Sequence, residues 1–89
     1  MDWHISFSNN AERFLKKHRL PDSFATDLVV KALQKIAGET VAVDLRRTTG
    51  KWAGCYRVRV RKTRIIFSVN FERRTALIEV IDSRDKSYK

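Results

Sequence analysis

Residues Tyr56–Arg64 read YRVRVRKTR, and the alternation of apolar and basic side chains in this stretch decides how the fold is interpreted. Alternation with a period of two is typical of a β-strand, because successive side chains of a strand point to opposite faces of its sheet. One face of the predicted strand is apolar and carries Tyr56, Val58 and Val60. The other face is basic and carries Arg57, Arg59 and Arg61.

A second strand, Thr63 to Phe71, is predicted after a tight two-residue turn that either Arg61-Lys62 or Lys62-Thr63 can form. Both turns pair odd positions with even ones across the hairpin, so both predict the same two faces. The apolar face gains Ile65, Phe67 and Val69. The basic face gains Arg64, Ile66 and Ser68.

The arginines predicted on this basic face repel one another, since like charges on neighbouring strands destabilise a sheet. Solubility alone favours mixed charges, so the row of arginines indicates that an anion binds there. Guanidinium groups are planar and hold phosphate through two parallel hydrogen bonds. We therefore expect a phosphate-binding surface on the side of the sheet that carries Arg57, Arg59, Arg61 and Arg64.

The net charge of +9 is confined to the second half of the chain. Residues 1–44 contain six basic and six acidic side chains, whereas residues 45–89 contain thirteen basic and four acidic ones. Segregated positive charge indicates a polyanionic partner, with nucleic acid as the first candidate. A generally basic, solvated surface is the alternative, but scattered charge would not leave one half of the chain neutral.

The N-terminal part of the chain predicts a strand and then a helix. Residues 2–8 (DWHISFS) alternate apolar and polar side chains, as a half-buried strand does. A side-chain oxygen of Ser8, Asn9 or Asn10 can accept hydrogen bonds from the first turn of a helix. Apolar residues then recur at helical spacing until Pro21, which ends the helix because proline disfavours helical geometry in the residue before it.

A second, longer helix is predicted, with Asp22 or Ser23 as its N-cap and Gly38 placed to stop it. Residues 41–45 (VAVDL) then form either a short strand or an extended connection. The pattern of period two predicts three further strands at 55–61, 63–71 and 76–82.

The predicted fold class is α+β: an N-terminal strand, a helical hairpin and a three-stranded antiparallel meander form one small sheet with both helices on one face. At 89 residues we expect a single domain, residues 1–89. No apolar run is long enough to span a membrane, and the N-terminus lacks the pattern of a secretory signal. We therefore expect a cytoplasmic protein that binds no membrane.

The sequence carries no motif for a metal or a cofactor. The one cysteine, Cys55, excludes an internal disulfide and has no partner at metal-ligand spacing. The three glycines, Gly38, Gly50 and Gly54, do not form a phosphate loop. We expect no cofactor and no metal.

Three stretches together resemble the RelE/ParE superfamily of bacterial and archaeal toxins from toxin–antitoxin pairs. ISFSNNAERFLKKH (5–18) resembles the opening strand and first helix of that family. VDLRRTTGKWAGCYRVRVRKTRIIFSV (43–69) resembles its glycine loop and arginine hairpin, and VIDSRDKSY (80–88) resembles its closing strand and tail. The resemblance covers nearly the whole chain and depends on the combined order and spacing of these motifs.

The resemblance implies a ribosome-dependent endonuclease that cuts messenger RNA by attack of a 2′-hydroxyl on the neighbouring phosphate, and a cognate antitoxin as partner. By position, Arg57 and Arg59 hold RNA phosphates and assist proton transfer, and Arg64 supports the charged phosphorane. Arg84 and Tyr88 match the arginine and tyrosine of the family's tail, and both are implied to be catalytic. Further RNA contacts are expected from Arg61, Lys51 and Lys86.

This chain departs from the family pattern at several points, and other functions stay open. Ser83 replaces a histidine that many relatives carry, and Arg61 or Lys62 replaces a turn glycine. The proton acceptor is assigned to Tyr88 or to a water path lined by arginines, and the face of Glu79 is left open. The alternatives are a ParE-like toxin that poisons gyrase without nuclease activity, and a nucleic-acid-binding module without activity.

Overall fold

The computed structural model of the protein describes residues 3–50 and 53–83. Its elements, in chain order, are β1 (His4–Phe7), α1 (Asn9–Lys17), α2 (Asp22–Ile36), β2 (Asp44–Arg47), β3 (Tyr56–Val60), β4 (Thr63–Asn70) and β5 (Thr75–Ser83). The α+β class is confirmed, with one strand before the helical hairpin. Four strands follow the hairpin among the described residues, so the prediction that only the three strands of a meander follow it was wrong.

The strands form a five-stranded mixed sheet in the order β1-β5-β4-β3-β2. β3, β4 and β5 are the predicted antiparallel meander, and β2 adds an antiparallel edge strand beside β3. The open choice at residues 41–45 is thereby decided, since Asp44 and Leu45 pair with Arg59 and Val58. β1 joins the opposite edge by pairing in parallel with β5.

Both helices pack on one face of this sheet, as predicted, and the helical hairpin carries the chain from one sheet edge to the other. α1 contacts β1 and β5, and α2 contacts β3. The core between the two layers is built from buried apolar side chains of the helices and of the three central strands. These are Ala11, Leu15, Ala25, Val29, Ala32, Leu33, Val58, Ile65, Phe67, Ala76, Ile78 and Ile81.

Local sequence explains where α1 begins. Ser8 is its N-cap, and the Ser8 Oγ accepts a hydrogen bond of 3.1 Å from the N–H of Ala11. The same hydroxyl donates to the carbonyl of Glu79 at 2.6 Å, so the cap also ties α1 to β5. For α2 the predicted cap, Asp22 or Ser23, was one or two residues late, because Pro21 occupies the cap position and Asp22 is already helical.

Each helix ends in a residue with left-handed backbone geometry that allows the last carbonyl groups to be satisfied. After α2 this residue is the predicted Gly38, at φ +96°, and the following N–H of Glu39 donates to the carbonyl of Gln34. After α1 it is Arg19, at φ +55°, and the N–H of Leu20 donates to the carbonyl of Leu15. A side chain at such a φ is unfavourable, so Arg19 is a locally strained position.

No helix within residues 3–50 and 53–83 is both long and apolar enough to cross a membrane.

Candidate functional site

The face of the sheet that points away from the helices, called the outer face, carries the predicted arginines in two rows across the strands. One row runs from β2 to β5 as Asp44, Arg59, Arg64 and Asp82, since these residues are successive cross-strand partners. The neighbouring row consists of Arg46, Arg57, Ile66 and Val80. The prediction that Arg57, Arg59 and Arg64 share one face of the sheet is confirmed, because all three belong to these rows.

A carboxylate closes the first row at each end, which offsets the repulsion between the directly opposed Arg59 and Arg64. Asp44 Oδ2 lies 3.3 Å from Nε of Arg59. The same carboxylate is 3.8 Å from Arg46 Nε and 3.9 Å from Arg57 Nη2. Asp44 is therefore shared among three guanidinium groups and cannot neutralise all of them.

Asp82 makes the most regular ion pair of this face. Its Oδ1 accepts from Nε of Arg64 and its Oδ2 accepts from Nη2, both at 3.0 Å, so the pair is bidentate. The hydrogen bond to Asp82 raises the pKa of Arg64, although burial opposes that shift. Arg64 is accordingly a fixed positive charge at any physiological pH.

Arg57 lacks the close ion pair that Arg64 has, since the Asp44 carboxylate lies 3.9 Å from its Nη2. Its Nε and Nη2 are buried, and neither has a hydrogen-bond partner among the described residues. The pKa of Arg57 is lowered, first by burial and then by the positive charge of Arg59, and the partly compensating carboxylate is the distant Asp44. A buried charged donor without a partner is unfavourable, and a bound anion would remove that unfavourable term.

A depression of about 360 Å³ opens beside Arg57 on the outer face. Its lining is basic and polar apart from one apolar side chain: Arg46, Arg47, Thr48, Thr49, Arg57, Arg64 and Ile66. This set of residues is called the basic depression. The Cζ of Arg47 lies 5.6 Å from the ring centre of Tyr56, so stacking on that ring helps to hold Arg47 at the rim. The basic depression can bind an anion of the size of a phosphate diester.

A β-bulge in β5 determines which residues of that strand reach the outer face. Ile66 pairs with Val80 whereas Phe67 pairs with Ile78, so Glu79 is an extra residue without a direct partner. The bulge allows Ile78 and Ile81 both to be buried and turns Asp82 outward. Glu79 also lies on the outer face, where its Oε2 accepts a hydrogen bond of 3.2 Å from Ser68.

Solved structures are similar to this chain, although no protein-family model and no curated protein matches its sequence. A chain of the RelBE2 toxin–antitoxin complex from Mycobacterium tuberculosis is 24% identical, with 94% of this chain and 100% of that chain covered and a TM-score of 0.59. A chain of the RelB–RelE antitoxin–toxin complex from Methanococcus jannaschii is 21% identical, with coverages of 93% and 94% and a TM-score of 0.60. A mutant of YafQ from E. coli is 11% identical, with coverages of 99% and 100% and a TM-score of 0.65.

The chain has the fold of the RelE/ParE toxin superfamily. The resemblance inferred from the three sequence stretches is thereby confirmed for the fold. In each comparison the likeness extends over nearly the whole length of this chain and of the matched chain. The RelE/ParE fold therefore accounts for the chain from its first strand to its last.

Arg61 was predicted to lie on the outer face with Arg57 and Arg59, but in this fold it does not belong to either row. The hairpin turn is Arg61-Lys62, because Val60 pairs with Thr63, and Arg61 has a φ of +55°. A residue in a turn leaves the pleat of the strand, so strand alternation no longer determines its direction. Arg61 instead lines a cavity of about 470 Å³ together with side chains of α1 and the following turn, Phe14, His18 and Leu20.

Four of the predicted site residues lie outside the described residues: Lys51, Arg84, Lys86 and Tyr88. Their roles stay predictions. Within residues 3–50 and 53–83, no three His, Cys, Asp or Glu side chains lie close enough together to hold a metal ion.

The sequence left β2 open as one of two alternatives and gave no sign of the bulge in β5. The sequence placed no strand residue at Arg46 or Arg47, although the alternation in Val43–Arg46 is a short signal for a strand. Asp44 and Asp82 were not expected on the basic face. No local signal indicated Asp82, because an unbroken strand would place it on the same side as the buried Ile78.

Proposed function

We propose that this protein is the toxin of a toxin–antitoxin pair and an endoribonuclease that cuts messenger RNA on the ribosome. The observation that carries the proposal is Arg57 at the wall of the basic depression, whose buried Nε and Nη2 have no hydrogen-bond partner among the described residues. An RNA phosphate in the basic depression would supply acceptors that this group lacks, since a guanidinium binds phosphate through two parallel hydrogen bonds. The segregation of the whole net charge of +9 into residues 45–89 supports a polyanionic substrate.

The reaction follows from the chemistry of RNA and from the residues around the basic depression. The 2′-oxygen attacks the adjacent phosphorus, the bond from phosphorus to the 5′-oxygen breaks, and the 2′-proton passes to an acceptor while the leaving oxygen gains a proton. No metal is required if the three reacting atoms are held in line and donors surround the phosphorane. Arg57 and Arg59 would hold the phosphate, and Arg64 would stabilise the charge that develops on it.

The electrostatics of the described arginines support this division of roles. The hydrogen bond that Arg64 donates to Asp82 raises the pKa of Arg64, which suits a permanent positive charge better than a proton donor. Burial and Arg59 lower the pKa of Arg57, so its positive charge is less well stabilised than that of Arg64 until an anion binds. In the proposal Arg84 and Tyr88 complete the site from the tail, with Tyr88 or a water path as proton acceptor, and Lys51 and Lys86 add RNA contacts.

An antitoxin partner is part of the proposal. Two of the similar structures are complexes of a toxin with its antitoxin. The outer face could bind such an antitoxin. Three arginines share the single carboxylate of Asp44, so an acidic segment of a partner can neutralise the remaining positive charge.

The test is a cleavage assay with purified ribosomes that carry a defined message, followed by sequencing of the message ends. We expect codon-positioned ends, and we expect Arg57→Ala to lower kcat/KM by about 100-fold, as loss of a phosphate-binding donor typically does. Arg73→Ala, in the exposed turn after β4, removes the same charge far from the basic depression and should leave cleavage within about twofold of wild type.

Expression in cells separates the alternatives from the proposal. Growth arrest with cut messages supports the endonuclease. Growth arrest with intact messages and damaged DNA would support a gyrase poison instead, and normal growth would support a binding module without activity.

A further inference from the structure

We propose that Asp82 is a positioning residue. It binds one side of the Arg64 guanidinium, through Nε and Nη2, so that the remaining donors of Arg64 face the basic depression. This inference rests on the proposed nuclease function and adds a residue to it. Its basis is the bidentate contact between the two side chains, with both nitrogen–oxygen distances at 3.0 Å.

The donor count of Arg64 leaves room for a substrate while Asp82 stays bound. A guanidinium has five N–H donors in a rigid plane. Asp82 occupies one N–H on Nε and one on Nη2, so three donors remain for a second ligand. A side-on carboxylate and a phosphate can therefore hold one arginine together.

The three remaining donors of Arg64 point toward the basic depression, as the positions of Arg64 and Asp82 relative to it indicate. Arg64 lines the basic depression, whereas Asp82 does not. Asp82 is on β5, whereas the residues that line the basic depression lie on β2, β3, β4 and the segment after β2, so the carboxylate approaches Arg64 from the side away from the proposed phosphate. In this arrangement Asp82 does not block the anion site.

Orientation explains the pair better than stability does. The side chains are 38% and 41% exposed, and ion pairs at such exposure contribute little to folding because water screens them. A free arginine has many rotamers, and holding it in one geometry before the substrate arrives reduces the entropy lost when the transition state forms.

The backbone shows how the chain brings Asp82 to this place. The bulge at Glu79 turns Asp82 to the outer face, and Ser8 stabilises the bulge from the other side. The Ser8 hydroxyl donates to the Glu79 carbonyl at 2.6 Å, and the Ser8 N–H donates to the Ile78 carbonyl at 2.9 Å. The N-cap of α1 therefore supports the residue that orients Arg64.

The experiment measures kcat and KM for cleavage of ribosome-bound message by four variants: Asp82→Asn, Arg64→Ala, the double variant and Glu72→Gln. Asp82→Asn keeps the shape of the side chain but removes its charge. We expect kcat to fall about tenfold or more with KM changed much less, because a misplaced group weakens the transition state most. Glu72→Gln makes the same charge change in the turn at the other end of β4 and should match wild type.

Non-additivity separates positioning from other roles. If Asp82 acts through Arg64, the double variant should be as slow as Arg64→Ala alone. A faster Asp82→Asn enzyme would mean that the carboxylate competes with RNA, and an unchanged one would mean that it has no role. A further loss in the double variant would mean that Asp82 acts independently of Arg64. Each of these three results overturns the inference.

A second measurement does not depend on cleavage. In ¹⁵N-labelled protein the Nε–H of Arg64 should give a protected NMR signal that disappears in Asp82→Asn and stays in Glu72→Gln. If the wild-type protein shows this signal but cuts no message, the proposed function fails while the contact stands. If Arg64→Ala abolishes cleavage and Asp82→Asn does not lower it, the function stands and the positioning role fails.

Discussion

Replacing Arg57 with methionine should make the protein more stable while it removes the capacity to hold an anion. Arg57 has two buried nitrogen atoms without a hydrogen-bond partner among the described residues, and it lies among like charges. Methionine keeps most of the aliphatic stem and removes the charged group. Stability and binding should therefore change in opposite directions, as they often do at functional sites.

The structure sets the size of the effect. A buried donor left unsatisfied costs about 1–3 kcal/mol. The Arg57 side chain is 21% exposed and its Nη2 lies 3.9 Å from Asp44, so the lower end of that range applies. After a small loss of packing we expect a net gain of about 1 kcal/mol in the free energy of unfolding, which corresponds to a rise of about 4–8 °C in Tm for a domain of this size.

The assay is urea unfolding followed by circular dichroism, with Arg46→Met as the matched control. Arg46 is the cross-strand partner of Arg57 on β2, but its side chain is 71% exposed, so its replacement should change stability by less than about 0.5 kcal/mol. Sulfate at ten times its Kd should stabilise the wild-type protein by about 1.4 kcal/mol and the Arg57→Met variant by much less.

The pH dependence of the Arg57→Met difference follows from the lowered pKa of Arg57. A base with a lowered pKa in the folded state binds its proton more weakly there than in the unfolded chain, so its unfavourable contribution is relieved only as the pH rises through the lowered pKa. Arginine titrates far above neutrality, so the difference should be constant between about pH 6 and 9. A variant that is less stable than wild type, or one that still gains the full stabilisation from sulfate, would refute the reasoning.

Three further predictions concern the framework and are checked by the same unfolding measurement. Ser8→Ala should destabilise the protein by about 1–2 kcal/mol, because it removes the hydrogen bonds to Ala11 and Glu79; an unchanged midpoint would mean that Ser8 does not support the bulge. Phe67→Ala should cost about 3–5 kcal/mol, because Phe67 is among the largest fully buried side chains, and a small loss would contradict the core described above. Arg19→Gly should stabilise the protein by up to about 1 kcal/mol, since glycine adopts a φ of +55° without strain, and a loss of stability would show that the side chain contributes more than its strain.

The site could be predicted in part because strand alternation is a local property. Arg57, Arg59 and Arg64 lie on two strands joined by a two-residue turn, so their shared face followed from the sequence without knowledge of any other element. Arg61 lies in that turn, where alternation ends, and its predicted position on the outer face was wrong for that reason.

The sequence by itself determined the order of the two helices and of the strands other than β2, the apolar stripes that form the core and the confinement of basic charge to one half of the chain. Tertiary structure decided the pairing of β2 with β3, the place of β1 beside β5 and the bulge at Glu79. These features depend on contacts between distant segments, such as the hydrogen bond from Ser8 to Glu79 across 71 residues. The position of Asp82 behind Arg64 results from them, because a single extra residue in β5 reverses the face on which every later side chain lies.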